Sequence, residues 1–263
     1  MIRLDPPGTF CQIQAVCDRM DPRGQTFLEV GCGSGILSRE LCRLGLTGTG
    51  VDFSAEAIRI AEETLARYLQ QGRYRLFHAD VRDLDAEVGR VDLGLSMMTM
   101  EHVEDDVGFV RALKRFVKPG GQVIVGVPGR RDRWGFEDEV VGHLRRYERG
   151  GLAAVLREAG LEDVEVWSVA VPVANLLFHL GNFLVRRSTG QEVARQSQRE
   201  QTETSGIREV PWKTVFPSWL RLLLNRRSLH PLFWVQRLFY RTGLGLTLIA
   251  SGRVPGSPAQ RSI

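Results

Sequence analysis

Phe27-Leu28-Glu29-Val30-Gly31-Cys32-Gly33-Ser34-Gly35 decides how the rest of this 263-residue chain is read. An apolar run passes through an acid into three glycines at every second position, and a helical pattern follows from Ile36 to Leu44. Glycines at the end of a strand let the backbone turn sharply and present its N–H groups to a ligand at a helix N-terminus, where the partial charge is positive. Asp52 closes the next apolar run, Gly48-Thr49-Gly50-Val51-Asp52. That is about 20 residues beyond the loop, where doubly wound folds place the carboxylate that binds a ribose hydroxyl. The pattern predicts an adenosine-type ligand.

Spacing narrows the choice. A dinucleotide fingerprint requires Gly-x-Gly-x-x-Gly, and Ile36 stands where its last glycine belongs. What is present is Glu29-x-Gly31-x-Gly33-x-Gly35, which resembles motif I of the class I S-adenosylmethionine (SAM) dependent methyltransferases. The resemblance extends to Asp52, to Phe77-His78-Ala79-Asp80-Val81, to the stretch from Val91 to Val103, and to Val117-Lys118-Pro119-Gly120-Gly121, five ordered matches over about the first 130 residues. It implies a Rossmann-like α/β fold, a doubly wound sheet of seven strands with the last antiparallel. It further implies that Gly31, Cys32, Gly33 and Gly35 line the methionine part of SAM, that Asp52 and Phe53 meet the ribose side, that Asp80 and Val81 hold the adenine, and that Met97 lies near the cofactor. Glu29 is expected to hold the loop and the cofactor's amino group.

Composition bounds the rest. The length suits one α/β domain with a sizeable insertion, and 43% hydrophobic residues is ordinary for a globular chain. Cys11, Cys17, Cys32 and Cys42 lack metal-type spacing and read as reduced thiols. With no basic-then-apolar leader and no apolar run of about 18 residues, the expected location is the cytoplasm. The formal charge of +4 is unevenly spread: residues 171–263 hold 13 Lys and Arg against 4 Asp and Glu, which leaves the first 170 residues net acidic.

In chain order, Thr9 to Met20 predicts a short helix capped by Thr9, and Asp21-Pro22-Arg23-Gly24 a turn before the first core strand. Ser54 caps a helix on which Ile58, Ala61, Leu65 and Tyr68 recur at helical spacing. Strands are expected at Tyr74 to Ala79, Val91 to Met97 and Gln122 to Val127, with a helix from Val107 to Val117. A polar loop from Pro128 to Gly142 then leads into Gly142-His143-Leu144-Arg145-Arg146-Tyr147, which resembles a Gly-His-x-Arg-Arg-Tyr stretch of small-molecule methyltransferases and so implies a lid or acceptor site. A helix from Leu152 to Ala159 and a strand from Val164 to Ala170 follow.

The last strand is expected at Gly245 to Ala250, so 1–170 and 244–254 form the core, 171–243 a helical insertion, and 255–263 a tail. The insertion opens with an apolar helix, Val171 to Val185, carrying Asn175, His179 and Asn182 on one face. A polar segment, Arg186 to Glu209, precedes an aromatic and basic one from Trp212 to Arg241 that includes Trp219. This composition fits a cap over an apolar acceptor pocket, a surface for anionic lipid, or a dimer interface. Pro211, Pro217 and Pro231 divide it into short pieces, which suits a compact cap, with Arg146, Asn175, His179 and Trp219 toward the acceptor. No nucleic-acid motif is present.

Methyl transfer from a sulfonium is an in-line displacement, for which the protein positions the nucleophile, excludes water and takes a proton. A base with a pKa near neutrality points to histidine. His102 follows the fourth strand, where the family places residues beside the transferred methyl. His143 is the second candidate and Tyr147 accompanies it, while His78 is read as structural. No ligand cluster at metal-site spacing is visible. The expected activity is methylation of an O or N of a small, fairly apolar acceptor such as a secondary metabolite, quinone or lipid-like molecule, yielding S-adenosylhomocysteine. The alternatives are a SAM-binding regulatory protein without turnover and a peripheral membrane lipid methyltransferase.

Overall fold

The computed structural model describes residues 2–3, 7–84, 88–189, 215–217, 219–220, 225 and 227–256. In order the elements are β1 (Ile2–Arg3), α1 (Pro7–Arg19), β2 (Thr26–Val30), α2 (Ile36–Arg43), β3 (Thr47–Asp52), α3 (Ala55–Gln70), β4 (Tyr74–His78), β5 (Val91–Met97), α4 (Asp106–Lys114), β6 (Val117–Pro128), α5 (Phe136–Val141), α6 (Arg149–Glu158), β7 (Glu162–Val169), α7 (Val173–Thr189), β8 (Val215–Phe216), α8 (His230–Arg237) and β9 (Thr247–Arg253).

Seven strands form one sheet in the order β4-β3-β2-β5-β6-β9-β7, with β9 antiparallel to both neighbours and the other pairs parallel. The doubly wound sheet with its antiparallel last strand is as the sequence predicts. Strand order reverses between β2 and β5, so the crevice outside their carboxyl ends is the natural ligand position.

The sheet is apolar on both faces, which is why its strands read as continuous hydrophobic runs. Val123 and Val125 of β6 face a core built with Val110, Leu113, Leu152 and Leu156 of α4 and α6. Ile124, between them, faces the opposite core with Leu41, Leu65, Val16 and Phe233 from α2, α3, α1 and α8.

Local differences from the sequence reading have physical causes. α1 starts at Pro7, so Thr9 lies inside the helix and does not cap it; proline's fixed φ suits the first helical position. Ser54 does cap α3, its Oγ accepting from Ala57 N–H. β6 starts at Val117, because the register shift between Val91 and Leu93 accommodates the Pro119-Gly120-Gly121 turn within the strand pair. The polar loop before Gly142 contains α5, whose first turn holds Glu137, Asp138 and Glu139 at the positive helix end.

Of the insertion, α7, β8 and α8 are described, whereas nearly all of the polar segment and the residues to Thr214 lie outside the described residues. β8 pairs with β1. α8 is fixed to α1: the buried Gln236 receives Ala170 N–H and donates to Cys11 O, each at 3.1 Å, and Asp18 accepts from Arg237 and from the Tyr240 hydroxyl. No helix among the described residues is long and apolar enough to cross a membrane.

Candidate functional site

The strand-end residues converge on one cavity of about 610 Å³, lined by Gly31, Asp52, Phe53, Asp80, Val81, Thr99, His102 and others from the ends of β2 to β5. The loop glycines all take left-handed φ values, 72° at Gly31, 52° at Gly33 and 76° at Gly35. A side chain at Gly31 would overlap Thr99, while the position of a Cβ at Gly33 is open. That open approach at Gly33, beside the N-terminus of α2, is what a cofactor needs to meet backbone directly.

Asp52 is 8% exposed and organises the loop. Its two oxygens accept from Gly33 N–H at 2.8 Å and Ser54 N–H at 2.9 Å, while burial pushes its carboxyl upward. Asp80 sits at the other end, where the Arg82 guanidinium holds it in a two-point contact of 2.9 and 2.6 Å and lowers its pKa. Of the predicted cofactor residues, Glu29, Cys32, Gly33, Gly35 and Met97 do not line the cavity. Glu29 lies beneath the loop, accepting from Ser38 Oγ at 2.5 Å, with the Tyr74 hydroxyl 2.6 Å from that oxygen; burial pushes its carboxyl to about 8. Met97 packs its thioether against Gly126, and Cys32 is buried with its N–H bonded to Val51 O. The cavity thus has an acid at each end and a glycine turn between them, a shape and donor set that fit SAM.

The basic hexapeptide folds over the same strand ends, with Leu144 N–H donating to Glu101 O at 2.9 Å and Leu144 on the cavity wall. His102 also lines the cavity. Its Nδ1 donates to Gly142 O at 3.1 Å, which leaves the basic lone pair of the neutral ring on Nε2, and burial lowers its pKa to about 4. The His143 ring lies edge-on to it, 4.9 Å between centroids.

His143 is held from both sides. Its Nδ1 is 2.7 Å from Asp138 Oδ1 and its Nε2 is 3.5 Å from Glu101 Oε1. Asp138, with a fully buried side chain, also accepts from Arg146 Nε at 2.8 Å and from Gly135 N–H at 2.8 Å. Glu101 is fully buried without a hydrogen-bond partner on either oxygen, and its carboxyl rises to about 7 through burial. The sequence reading named no metal ligands, yet Glu101, His102 and His143 each bring one donor atom within 4.8 Å of the other two. Residues 41 positions apart meet because β5 and the hexapeptide end at the same edge, a proximity invisible to spacing. The trio has the donors for one cation, or for a shared proton.

The other predicted acceptor-side residues divide. Tyr147 is buried away from the cavity and donates to Asp106 at 3.0 Å. Arg146 is buried against Asp138 and lies over the Phe178 ring. Asn182 accepts from Glu137 N–H at 3.1 Å, fastening α7 to α5, and Asn175 donates to Leu244 O. His179 and Trp219 are exposed, and no residue of 171–243 lines the cavity among those described. Thr99, Glu104 and Phe109 line it without having been singled out. Thr99 was detectable in principle as the first small polar residue after β5; Phe109 reads as core from its helical period, and it is both.

Comparisons with known proteins bear on the family and the fold. Residues 28–125 match the family described as methyltransferase domain. A "Ubiquinone biosynthesis O-methyltransferase" from Xanthomonas axonopodis pv. citri (strain 306) is 32% identical over 170 residues, 59% of this chain and 70% of that protein. The [4+2]-cyclase SpnF superimposes with a TM-score of 0.60 at 18% identity, over 94% of this chain and 81% of its own. The phosphoethanolamine N-methyltransferase 2 of Haemonchus contortus, in complex with phosphomonomethylethanolamine and S-adenosylhomocysteine, gives 0.60 at 18% identity over 96% of this chain and 54% of its own. At such identities the solved structures speak for the fold alone.

Proposed function

Because this chain belongs to the class I SAM-dependent methyltransferases, we propose that it transfers the methyl group of SAM to an oxygen of a small, fairly apolar acceptor, with His102 or His143 taking the acceptor's proton. The O-methyltransferase name of the relative supports oxygen over nitrogen, and favours a phenolic acceptor of quinone or lipid-like character. The bound cofactor supplies an electrophilic methyl on a sulfonium.

The observation that carries the reading is His102 on the cavity wall, its Nδ1–H tied to Gly142 O so that Nε2 is the basic atom. Asp52 would take the ribose hydroxyls, Asp80 and Val81 the adenine, and the Gly31 to Gly35 backbone the methionine part. Glu29 supports that loop from beneath through Ser38. The acceptor would enter from the side of Leu144, where the hexapeptide excludes water; behind it α7 holds α5 through Asn182 and Arg146 through Phe178. In this reading α7 supports the acceptor site from behind, without lining the cavity.

Incubating the chain with methyl-labelled SAM and a panel of phenols, catechols and amines tests the proposal. Label transferred to oxygen, and lost in His102→Ala or His143→Ala with SAM binding retained, is the expected result. Transfer only to amines, or undiminished transfer in both variants, would refute it. Glu101's two unpartnered oxygens favour a second version, in which a divalent cation between Glu101, His102 and His143 holds the acceptor oxygen. Activity abolished by EDTA and restored by magnesium or zinc would select that version.

A further inference from the structure

Eight of the eleven large apolar side chains exposed among the described residues fall between Leu176 and Leu238, so most of the exposed apolar side chains described belong to the insertion. On α7, Leu176, Leu180 and Phe183 stand at i, i+4 and i+7 and are 77%, 51% and 58% exposed. The opposite side of the helix is occupied: Asn182 is bonded to α5, Phe178 lies against Arg146, and Val185 is buried against Val140. α8 repeats the arrangement, with Phe233 and Gln236 buried while Trp234 and Leu238 project at 66% and 79% exposure. Both helices pack against α1.

Charge on these segments has one sign. The four acids between residues 171 and 263 all fall between Glu192 and Glu209, outside the described residues, so the described part of the insertion contains none. Arg186 and Arg187 end the α7 stripe, and they, Arg227 and Arg241 are exposed. Exposed apolar side chains at helical spacing accompanied by arginines, with exposed tryptophan, are the composition of helices lying in the headgroup region of an anionic membrane.

We propose that the outer faces of α7 and α8 dock the protein on an anionic bilayer surface, with Leu176, Leu180, Phe183, Trp234 and Leu238 entering the headgroup–acyl boundary and Arg186 and Arg187 meeting lipid phosphates. Among the described residues the charge pattern favours an anionic surface over a second copy as occupant, since a twofold pairing through α7 and α8 would set their arginines against one another and the described part of the insertion supplies no acid between them. The proposal does not depend on the chemistry of the acceptor and stands apart from the methyl-transfer reading.

The full chain is co-sedimented with vesicles of phosphatidylcholine alone and with about 30% phosphatidylglycerol, at low and high salt, and calorimetry with SAM serves as the check on folding. The expected result is binding to the anionic vesicles only, weakened as salt is raised. Phe183→Glu should abolish it, and Arg186→Ser with Arg187→Ser should weaken it by about tenfold or more, both with SAM affinity unchanged. Because the arginines are exposed, their variant keeps the test valid if Phe183→Glu does not fold. Absence of binding by SAM-competent protein, or equal binding to neutral vesicles that neither variant alters, would overturn the proposal. So would a dimer in light scattering that Phe183→Glu dissociates while no vesicle binding is seen, which would assign the face to a second copy.

Discussion

His143 Nδ1 lies 2.7 Å from Asp138 Oδ1, inside a buried cluster in which the same carboxylate oxygen also receives Arg146 Nε. One acid on the short helix α5 therefore sets both the tautomer of a histidine at the site's edge and the path of the hexapeptide that carries it. With Nδ1–H given to Asp138, the other ring nitrogen faces Glu101 at 3.5 Å, beyond a hydrogen bond but within charge reach.

Asp138→Asn should accordingly lower turnover by roughly one to two orders of magnitude while leaving SAM affinity intact, since it removes the orienting charge without touching the cofactor cavity. Breaking a buried charged network also costs about 3 to 5 kcal/mol, so denaturant unfolding should report a clear loss of stability. Normal kcat in a destabilised variant would separate His143 from catalysis.

Asp52→Ala should weaken SAM binding by roughly 1.5 to 3 kcal/mol in calorimetry, the range for hydrogen bonds to a charged group. Part of that loss comes from the loop, because Asp52 also anchors Gly33 N–H. Unchanged affinity would remove Asp52 from the cofactor site.

Gly31→Ala should bind SAM poorly and be less stable, since a methyl group there meets Thr99 at a φ of 72°. The left-handed conformation alone costs an L-residue about 1 to 2 kcal/mol. Thr99→Gly in the same chain should restore part of the loss by relieving the overlap while keeping the φ penalty; no recovery would mean the overlap is irrelevant.

Glu29 gives a pH signature. Its folded pKa is about 8 against an ordinary value near 4.5, so between those limits the folded chain holds a proton that the unfolded chain has released. Raising the pH across this window therefore favours unfolding, by on the order of 1 kcal/mol per pH unit for this group. Below the ordinary carboxylate range the contribution is flat. Urea midpoints of the cofactor-free protein from pH 5 to 8 should fall more steeply for wild type than for Glu29→Gln, and parallel curves would contradict the assignment.

How much of this was legible beforehand depends on where each signal lives. The turn of the glycine loop, the strand-end positions of Asp52 and Asp80 and the Ser54 cap were readable because each is a local pattern: a strand end, a turn and a helix start carry their geometry in a few consecutive residues. The alternation of apolar strands and helices likewise determined a parallel doubly wound sheet, since only that arrangement buries both faces of such strands. Tertiary structure alone decided what meets across long separations. Glu101 reaches His143, Tyr147 reaches Asp106, and Asn182 reaches Glu137, contacts set by which loops end at one edge of the sheet and by no period in the chain. It also decided which way α7 faces. Leu176, Leu180 and Phe183 lie on one side of that helix and Phe178 and Val185 on the other, so its hydrophobicity points both ways in the sequence, and only the packing of α5 shows which side is left outward.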